Sequence, residues 1–265
     1  MKILFTSDLH GDMNAYAVYA RLLRGYDCGV LAGDLLEEFV TKAEAERYGL
    51  MAADEPEELH GVGYDPVREF EKKYRDAIKN PDSVNRKGLE RKRQEVSDVL
   101  NGAGKPIFFV TGNHDLANWT SQGQLVNIEG KKVPFVGYSF VGVPSSFKGI
   151  RANPVSEGIA KLIDGQTILV SHSPPHRILD KTSVPNARGK VRDESIGSKS
   201  LSKILSRTSP LYCLFGHVHE GFGRIGNHVN GGFPLDSKFV TIELPKGDVS
   251  FLPGREQLLD KKKLT

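Results

Sequence analysis

The sequence predicts an α/β fold of two stacked sheets with helices outside. Two patterns carry that expectation. In the first half, short β-rich apolar runs each end at Gly, Asp or Asn and give way to a helix-like stretch; after Gly130, β-like runs follow one another closely. A chain of 265 residues with 38% apolar composition has material for an ordinary core.

In chain order, Ile3 to Ser7, Cys28 to Gly33 and Ile107 to Gly112 read as strands of a parallel unit. Between the first two, Asn14 to Arg24 sets Ala17, Val18, Ala20, Leu22 and Leu23 along a helical stripe, the crossover of a right-handed βαβ unit. Glu37 to Lys105 is too long for one such connection. Its last part, Leu89 to Leu100 before Asn101-Gly102, has the spacing and terminal glycine of the next crossover helix. Residues 37 to about 85 then form a helical insertion within a single domain spanning 1–265. Its amphipathic stretch, with Val67, Phe70, Tyr74, Ala77 and Ile78 on one face, needs a partner surface and is expected to be a lid or an oligomer contact.

Beyond Gly130 the β-like runs are Lys131 to Val136, Tyr138 to Val143, Thr167 to Ser171, Leu211 to Gly216 and Phe239 to Leu244. They are expected to build a second, partly antiparallel sheet. Helices are expected at Pro154 to Ile163, opened by its proline, and at Gly197 to Arg207.

Composition narrows the partners. With 36 basic and 33 acidic residues the net charge is only +3, too mild to demand a nucleic acid or a membrane. Cys28 and Cys213 both sit in apolar runs and read as buried thiols of a reducing compartment. From Met1 the chain passes directly into Lys2-Ile-Leu-Phe-Thr-Ser, with no apolar stretch long enough for a signal peptide or a membrane span. The cytoplasm is the expected location.

Five short motifs fall at the ends of expected strands: Asp8-Leu9-His10, Gly33-Asp34, Gly112-Asn113-His114-Asp115, Ser171-His172 and Gly216-His217-Val218-His219. Strand ends are where α/β folds build sites. In an extended chain residues two apart point the same way, so Asp8 with His10, and His217 with His219, are each expected to converge. Seven oxygen and nitrogen ligands result: Asp8, His10, Asp34, Asn113, His172, His217 and His219. That set suits two divalent transition-metal ions (Mn, Fe or Zn), with a carboxylate such as Asp34 bridging a pair about 3.5 to 4 Å apart. Such a centre draws in a phosphate, polarises its oxygens and lowers the pKa of a metal-bound water enough to give hydroxide near neutral pH.

Each motif has a bland counterpart. Asp-x-His arises by chance in roughly one chain of this length in a few, Gly-His-x-His in about one in a hundred, and Gly-Asn-His-Asp in about one in a thousand. Gly33-Asp34 alone is first a turn pair. All five together, in order and each after a strand, are not accidental.

In order and in letters the five motifs resemble those of the calcineurin-like metallophosphoesterase superfamily. The resemblance implies a four-layer αββα sandwich of two mixed β-sheets flanked by helices. It further implies that Asp8, His10, Asp34 and His219 hold one metal and Asp34, Asn113, His172 and His217 the other. His114 would be the catalytic histidine, and Asp115 its orienting acid. A narrower likeness runs from Ser171 to Gly223, through His172-Ser-Pro-Pro-His, Leu179-Asp180, Gly197-Ser198 and Phe215-Gly-His-Val-His-Glu-Gly-Phe-Gly. This stretch is similar to the class III cyclic-nucleotide phosphodiesterases and the metallophosphoesterase-domain-containing proteins.

Departures remove some activities. Protein Ser/Thr phosphatases of the superfamily carry arginines shortly after the second and third motifs; here Leu35-Leu36-Glu37-Glu38 and Leu116-Ala117-Asn118 follow. Lipid-precursor pyrophosphatases usually place Arg where His114 stands. The expected activity is metal-dependent hydrolysis of a small phosphoester, with a phosphodiester leading and a small-molecule phosphomonoester as the close alternative. A nuclease is the third reading, since related nucleases share the five motifs, but near-neutral composition does not favour a nucleic-acid partner. A non-enzymatic scaffold, as in the retromer subunit resembling this fold, would have lost metal ligands. The sequence leaves oligomeric state open.

Several residues keep two readings. His176, after Pro174-Pro175, is a loop histidine that could line a substrate mouth, and His60 and His228 have no stronger claim. Asn230 reads first as part of an Asn-Gly turn and second as a substrate contact. Arg86, Lys87, Arg91, Lys92 and Arg93, interleaved with Glu90 and Glu95, read as a solvated helix face. Trp119 is equally a packing anchor or a stacking surface.

Overall fold

A computed structural model describes residues 1–36, 86–115, 119–144, 147–148, 151–152, 155–185, 191–232 and 239–252. The 37–85 insertion with His60 thus lies outside the described residues, as do residues 116–118 and Lys261 to Lys263. Among the described residues no helix is long and apolar enough to cross a membrane.

The first sheet holds β1 (Lys2–Thr6), β2 (Cys28–Ala32), β3 (Ile107–Val110) and β4 (Leu125–Asn127), all parallel. The second is built on β6 (Tyr138–Gly142), β9 (Thr167–Val170), β12 (Tyr212–Phe215) and β14 (His228–Asn230), again parallel. Antiparallel β5 (Lys132–Phe135) and β13 (Gly223–Ile225) close its two edges. Short β7 (Phe147–Lys148) and β8 (Arg151–Ala152) pair apart from both sheets, as do β10 (Lys181–Pro185) and β11 (Val191–Ser195).

Strand alternation sends side chains to opposite faces. Ile3, Phe5, Val30, Phe108 and Val110 of the first sheet meet Phe140, Ile168, Val170, Leu214 and Val229 of the second. The intervening Leu4, Leu31 and Phe109 face the other way, against α1 (Met13–Leu23) and α2 (Arg86–Asn101). On the far side Val141, Leu169, Cys213 and Phe215 pack with Ile159 of α3 (Glu157–Ala160) and with Leu201 and Ile204 of α4 (Lys199–Leu205). The layers are helix, sheet, sheet, helix, the expected sandwich.

Two expectations are corrected and one open alternative is resolved. The run from Phe239 to Leu244 belongs to the first sheet, not the second: β15 (Val240–Glu243) pairs antiparallel with β1, with Lys2 Nζ 3.1 Å from Glu243, and β16 (Asp248–Phe251) pairs with β15. The helix expected from Pro154 is the single turn α3, because the Ser156 side chain caps it by accepting from Gly158 N–H. The chain then turns at Asp164, whose Oδ1 accepts from Gln166 N–H and the Thr167 hydroxyl. Trp119 is 5% exposed and meets Phe109 edge-on, so it is a packing anchor.

Candidate metal centre

The ligand-bearing motifs follow β1, β2, β3, β9 and β12, strands of both sheets that end at one rim. The chain does not leave those strands extended. Asp8 (φ 54°), His10 (φ 44°), Asp34 (φ 49°) and His217 (φ 69°) all lie in the left-handed region, rare for residues with a side chain. The expected route to convergence, by strand alternation, is therefore corrected. Asp8 and His10 do converge, through a left-handed turn; His217 and His219 separate.

Backbone bonds hold these turns. Asp8 N–H donates to Gly33 O at 3.0 Å, His10 N–H to Asp34 O at 2.9 Å and Gly11 N–H to Leu35 O at 3.0 Å, stitching the first motif to the second. The buried Tyr16 hydroxyl donates to Leu35 O at 2.6 Å. Asp115, expected to orient His114, turns its carboxylate to backbone instead: Leu35 and Leu36 N–H donate to Oδ1 at 2.8 and 2.9 Å, and Gly112 N–H to Oδ2 at 2.7 Å. Burial, reinforced by the charge of Asp34, raises the Asp115 carboxyl to about 7 against those three donors. The third motif is thus clamped to the Asp34 turn, and His114 N–H donates to Asp34 Oδ1 at 2.9 Å.

Two groups of ligand atoms result. Asp34, His172 and His217 form an inner group, and Asp8, His10 and His219 an outer one, with the atoms of each within 4.8 Å of one another. Asn113 joins the inner group, its Oδ1 3.0 Å from His172 Nε2. Asp34 Oδ2 lies between the groups, 3.3 Å from His172 Nε2 and 3.9 Å from His10 Nε2. His219 Nε2 is 3.5 Å from Asp8 Oδ1, and His217 N–H donates to both Asp8 oxygens at 3.1 Å. His114 Nε2 stands 4.0 Å from Asp34 Oδ2, its ring edge-on to His10.

The donors fit divalent ions. All are carboxylate or amide oxygens and imidazole nitrogens, the ligands borderline cations take. His172 Nδ1 meets the Ala32 carbonyl at 2.8 Å, which fixes the ring and turns Nε2 to the centre, as a metal-binding imidazole requires. Burial works to raise both acids, but imidazoles outweigh it: His172 and His114 hold Asp34 well below the usual carboxylate range, and His219 with His172 keep Asp8 lowered. In return, burial pushes the His172 imidazole down while Asp34 and Asp8 raise it to about 9. Burial brings His10 down to about 4.

A groove of about 490 Å³ is lined by Glu220 and Gly221, which follow His219 in the chain, and by Arg177, Leu179, Lys181 and Ile225. Lys181 and Ser195, the paired ends of the β10–β11 hairpin, also line it, and the Thr182 hydroxyl ties this hairpin to the turn after His219 by donating to Glu220 Oε1 at 2.9 Å. Sequence reasoning did not find this arm, because Lys-Thr-Ser-Val-Pro and Val-Arg-Asp-Glu-Ser carry no apolar alternation. His176, the loop histidine after Pro174-Pro175, has its Nδ1 3.6 Å from Asp180 Oδ2 and does not line this groove. Asn230 is fully buried beneath the metal turn, an environment that neither of its two readings anticipates.

This rim gathers two groups of side chains that could each hold a metal ion. The calcineurin-like phosphoesterase model matches residues 1–221, and the chain belongs to that family. It is 29% identical over 161 residues to UPF0046 protein K07C11.7 of Caenorhabditis elegans, a match covering 56% of this chain and 51% of that protein, so it spans about half the relative's length. Among solved structures it shares its fold with TT1561 of Thermus thermophilus (15% identity, TM-score 0.52, covering 95% of this chain and 98% of that one). It also shares it with a dimetal phosphatase from Danio rerio (13% identity, TM-score 0.54, covering 92% of each).

Proposed function

We propose that the chain hydrolyses a small phosphodiester at a centre of two divalent transition-metal ions, manganese, iron or zinc. The observation that carries this reading is the position of Asp34 Oδ2, within 4 Å of an imidazole of each ligand group. One carboxylate placed between two ligand groups suits two ions, where a single ion would need only one group. When bound, such ions supply the charge that polarises a phosphoryl oxygen and acidifies a water.

The chain's own residues do the rest. Asp8, His10 and His219 would hold one ion, Asn113, His172 and His217 the other, and Asp34 both. His114 stands beside Asp34 with its side chain 28% exposed, in reach of an incoming ester, and can deliver a proton to a departing alkoxide. The diester is chosen over the monoester on the likeness of the Ser171 to Gly223 stretch to the cyclic-nucleotide phosphodiesterases. The same reading puts the chain in the cytoplasm, supported by Cys28 and Cys213, which are buried free thiols.

The experiment is turnover of monoesters, linear diesters, cyclic nucleotides and short DNA by manganese-loaded protein. Diesters of small alcohols should lead. Turnover of monoesters alone would replace the reading with a phosphomonoesterase, and preference for DNA would replace it with a nuclease.

A further inference from the structure

Asn230, the last residue of β14, spends its whole amide on three backbone groups. Its Nδ2 donates to Val218 O at 2.9 Å and to Leu179 O at 3.3 Å, and its Oδ1 accepts from Gly232 N–H at 2.8 Å. Val218 is the single residue between His217 and His219, which face different ligand groups. Whatever fixes Val218 therefore fixes the offset between the two groups.

The surroundings show how closely that point is held. The Val218 carbonyl also accepts from Gly221 N–H at 3.0 Å, and Val218 N–H donates to Gly216 O at 2.8 Å, folding the turn on itself. A Cβ at Gly221 would lie 2.1 Å from Leu179 O and 2.9 Å from Asn230 Nδ2, so only glycine admits the approach. His217 and Leu179 both hold positive φ, conformations that persist where neighbours over-determine them. The opposite side of the turn is fastened by His217 N–H on Asp8. Two fastenings thus act on the peptides that flank the one joining His217 to Val218: Asp8 reports to the outer group, and Asn230 anchors the turn to the second sheet.

We infer that Asn230 is a positioning residue that sets the separation of the two metal subsites, an inference that rests on the two-ion reading above. It touches no ligand atom and acts through the Val218 peptide. Asp at this position has the same shape but brings an acceptor to two carbonyl oxygens, so N230D repels what Asn230 holds. N230S leaves both carbonyls without the amide and adds no charge. In either variant His217 and His219 should lose their fixed offset while each keeps its own group.

The test loads wild type, N230D and N230S with two equivalents of Mn²⁺ and records the electron paramagnetic resonance of the exchange-coupled pair, on material that elutes as folded protein. Wild type should give a coupled spectrum. Both variants should bind manganese with an altered or weakened coupling, and kcat should fall about 10- to 100-fold, the usual range for residues behind the ligands, with less change in KM. Should N230D fail to fold, N230S decides. A wild type with no coupled pair overturns the two-ion reading and this inference with it. A coupled wild type whose folded variants show the same spectrum and kcat overturns the role of Asn230 alone.

Discussion

The inner and outer ligand groups share one carboxylate and differ in depth. Inner His172 is 2% exposed, while in the outer group Asp8 is fully buried but the His219 side chain is 41% exposed. The inner imidazole is braced from behind by the Ala32 carbonyl, whereas His219 stands beside Asp8 and edge-on to the His10 ring on a short exposed turn. The lesson is that two sites assembled from the same residue types are not equivalent: the inner should hold its ion against exchange, and the outer should trade with solvent and meet substrate first.

The sharpest way to break the comparison is to remove what the groups share. D34A should cost both ions and lower turnover on the order of 10³-fold or more, as loss of a principal electrostatic stabiliser does. Elemental analysis that still finds two ions per chain would end the bridging role. Next in size is the proton donor: H114A should cut turnover of an alkyl diester by roughly 10²- to 10⁴-fold and harm a nitrophenyl ester much less, because nitrophenolate departs without a proton. Equal losses on both esters, with metals bound, would make His114 a positioner of phosphate.

Depth itself is tested by exchange. H219A should retain one ion per chain and H172A should loosen the tighter one, so a chelator applied to wild type should strip the metal in two phases. A single phase in wild type would erase the difference between the groups. The smallest effect is expected far from the rim. Bonds from Lys132, Thr167 and Gln166 hold the exposed Asp164 carboxyl down to about 2, below its ordinary 3.8. Its contribution is therefore present above pH about 4 and lost as pH falls toward 2. D164N should lower the urea midpoint slightly at neutral pH, converge on wild type in acid, and leave metal content untouched.

How much could be read beforehand divides along physical lines. β1, β2, β3, β6, β9 and β12 were legible because each is a short apolar run, and the nine candidate residues stood out because they follow such runs in compact motifs. β10, β11 and β13 were not, since their polar residues carry no periodic signal and their pairing is set by neighbours distant in sequence. The place of β15 was hidden for a related reason: an apolar run announces a strand but not which sheet edge receives it. The left-handed turns were invisible too, because Asp8, His10 and His217 are not glycines, and their φ is imposed by bonds such as Asp8 N–H to Gly33 O. Asn230 looked like half of a turn and proved to be a buried fastening, a role that only the packed neighbours define.

Those four left-handed ligands have a consequence for how the protein can change. Each side chain held at positive φ costs about 1 to 3 kcal/mol that glycine would recover. Selection for heat resistance alone would therefore favour glycine first at positions 10 and 217, since the buried Asp8 and Asp34 carboxylates also hold the His217 and His114 N–H groups. A laboratory lineage evolved for thermal endurance, with no demand for turnover, should drift toward a sturdier and inert protein through this rim before it alters the sheets.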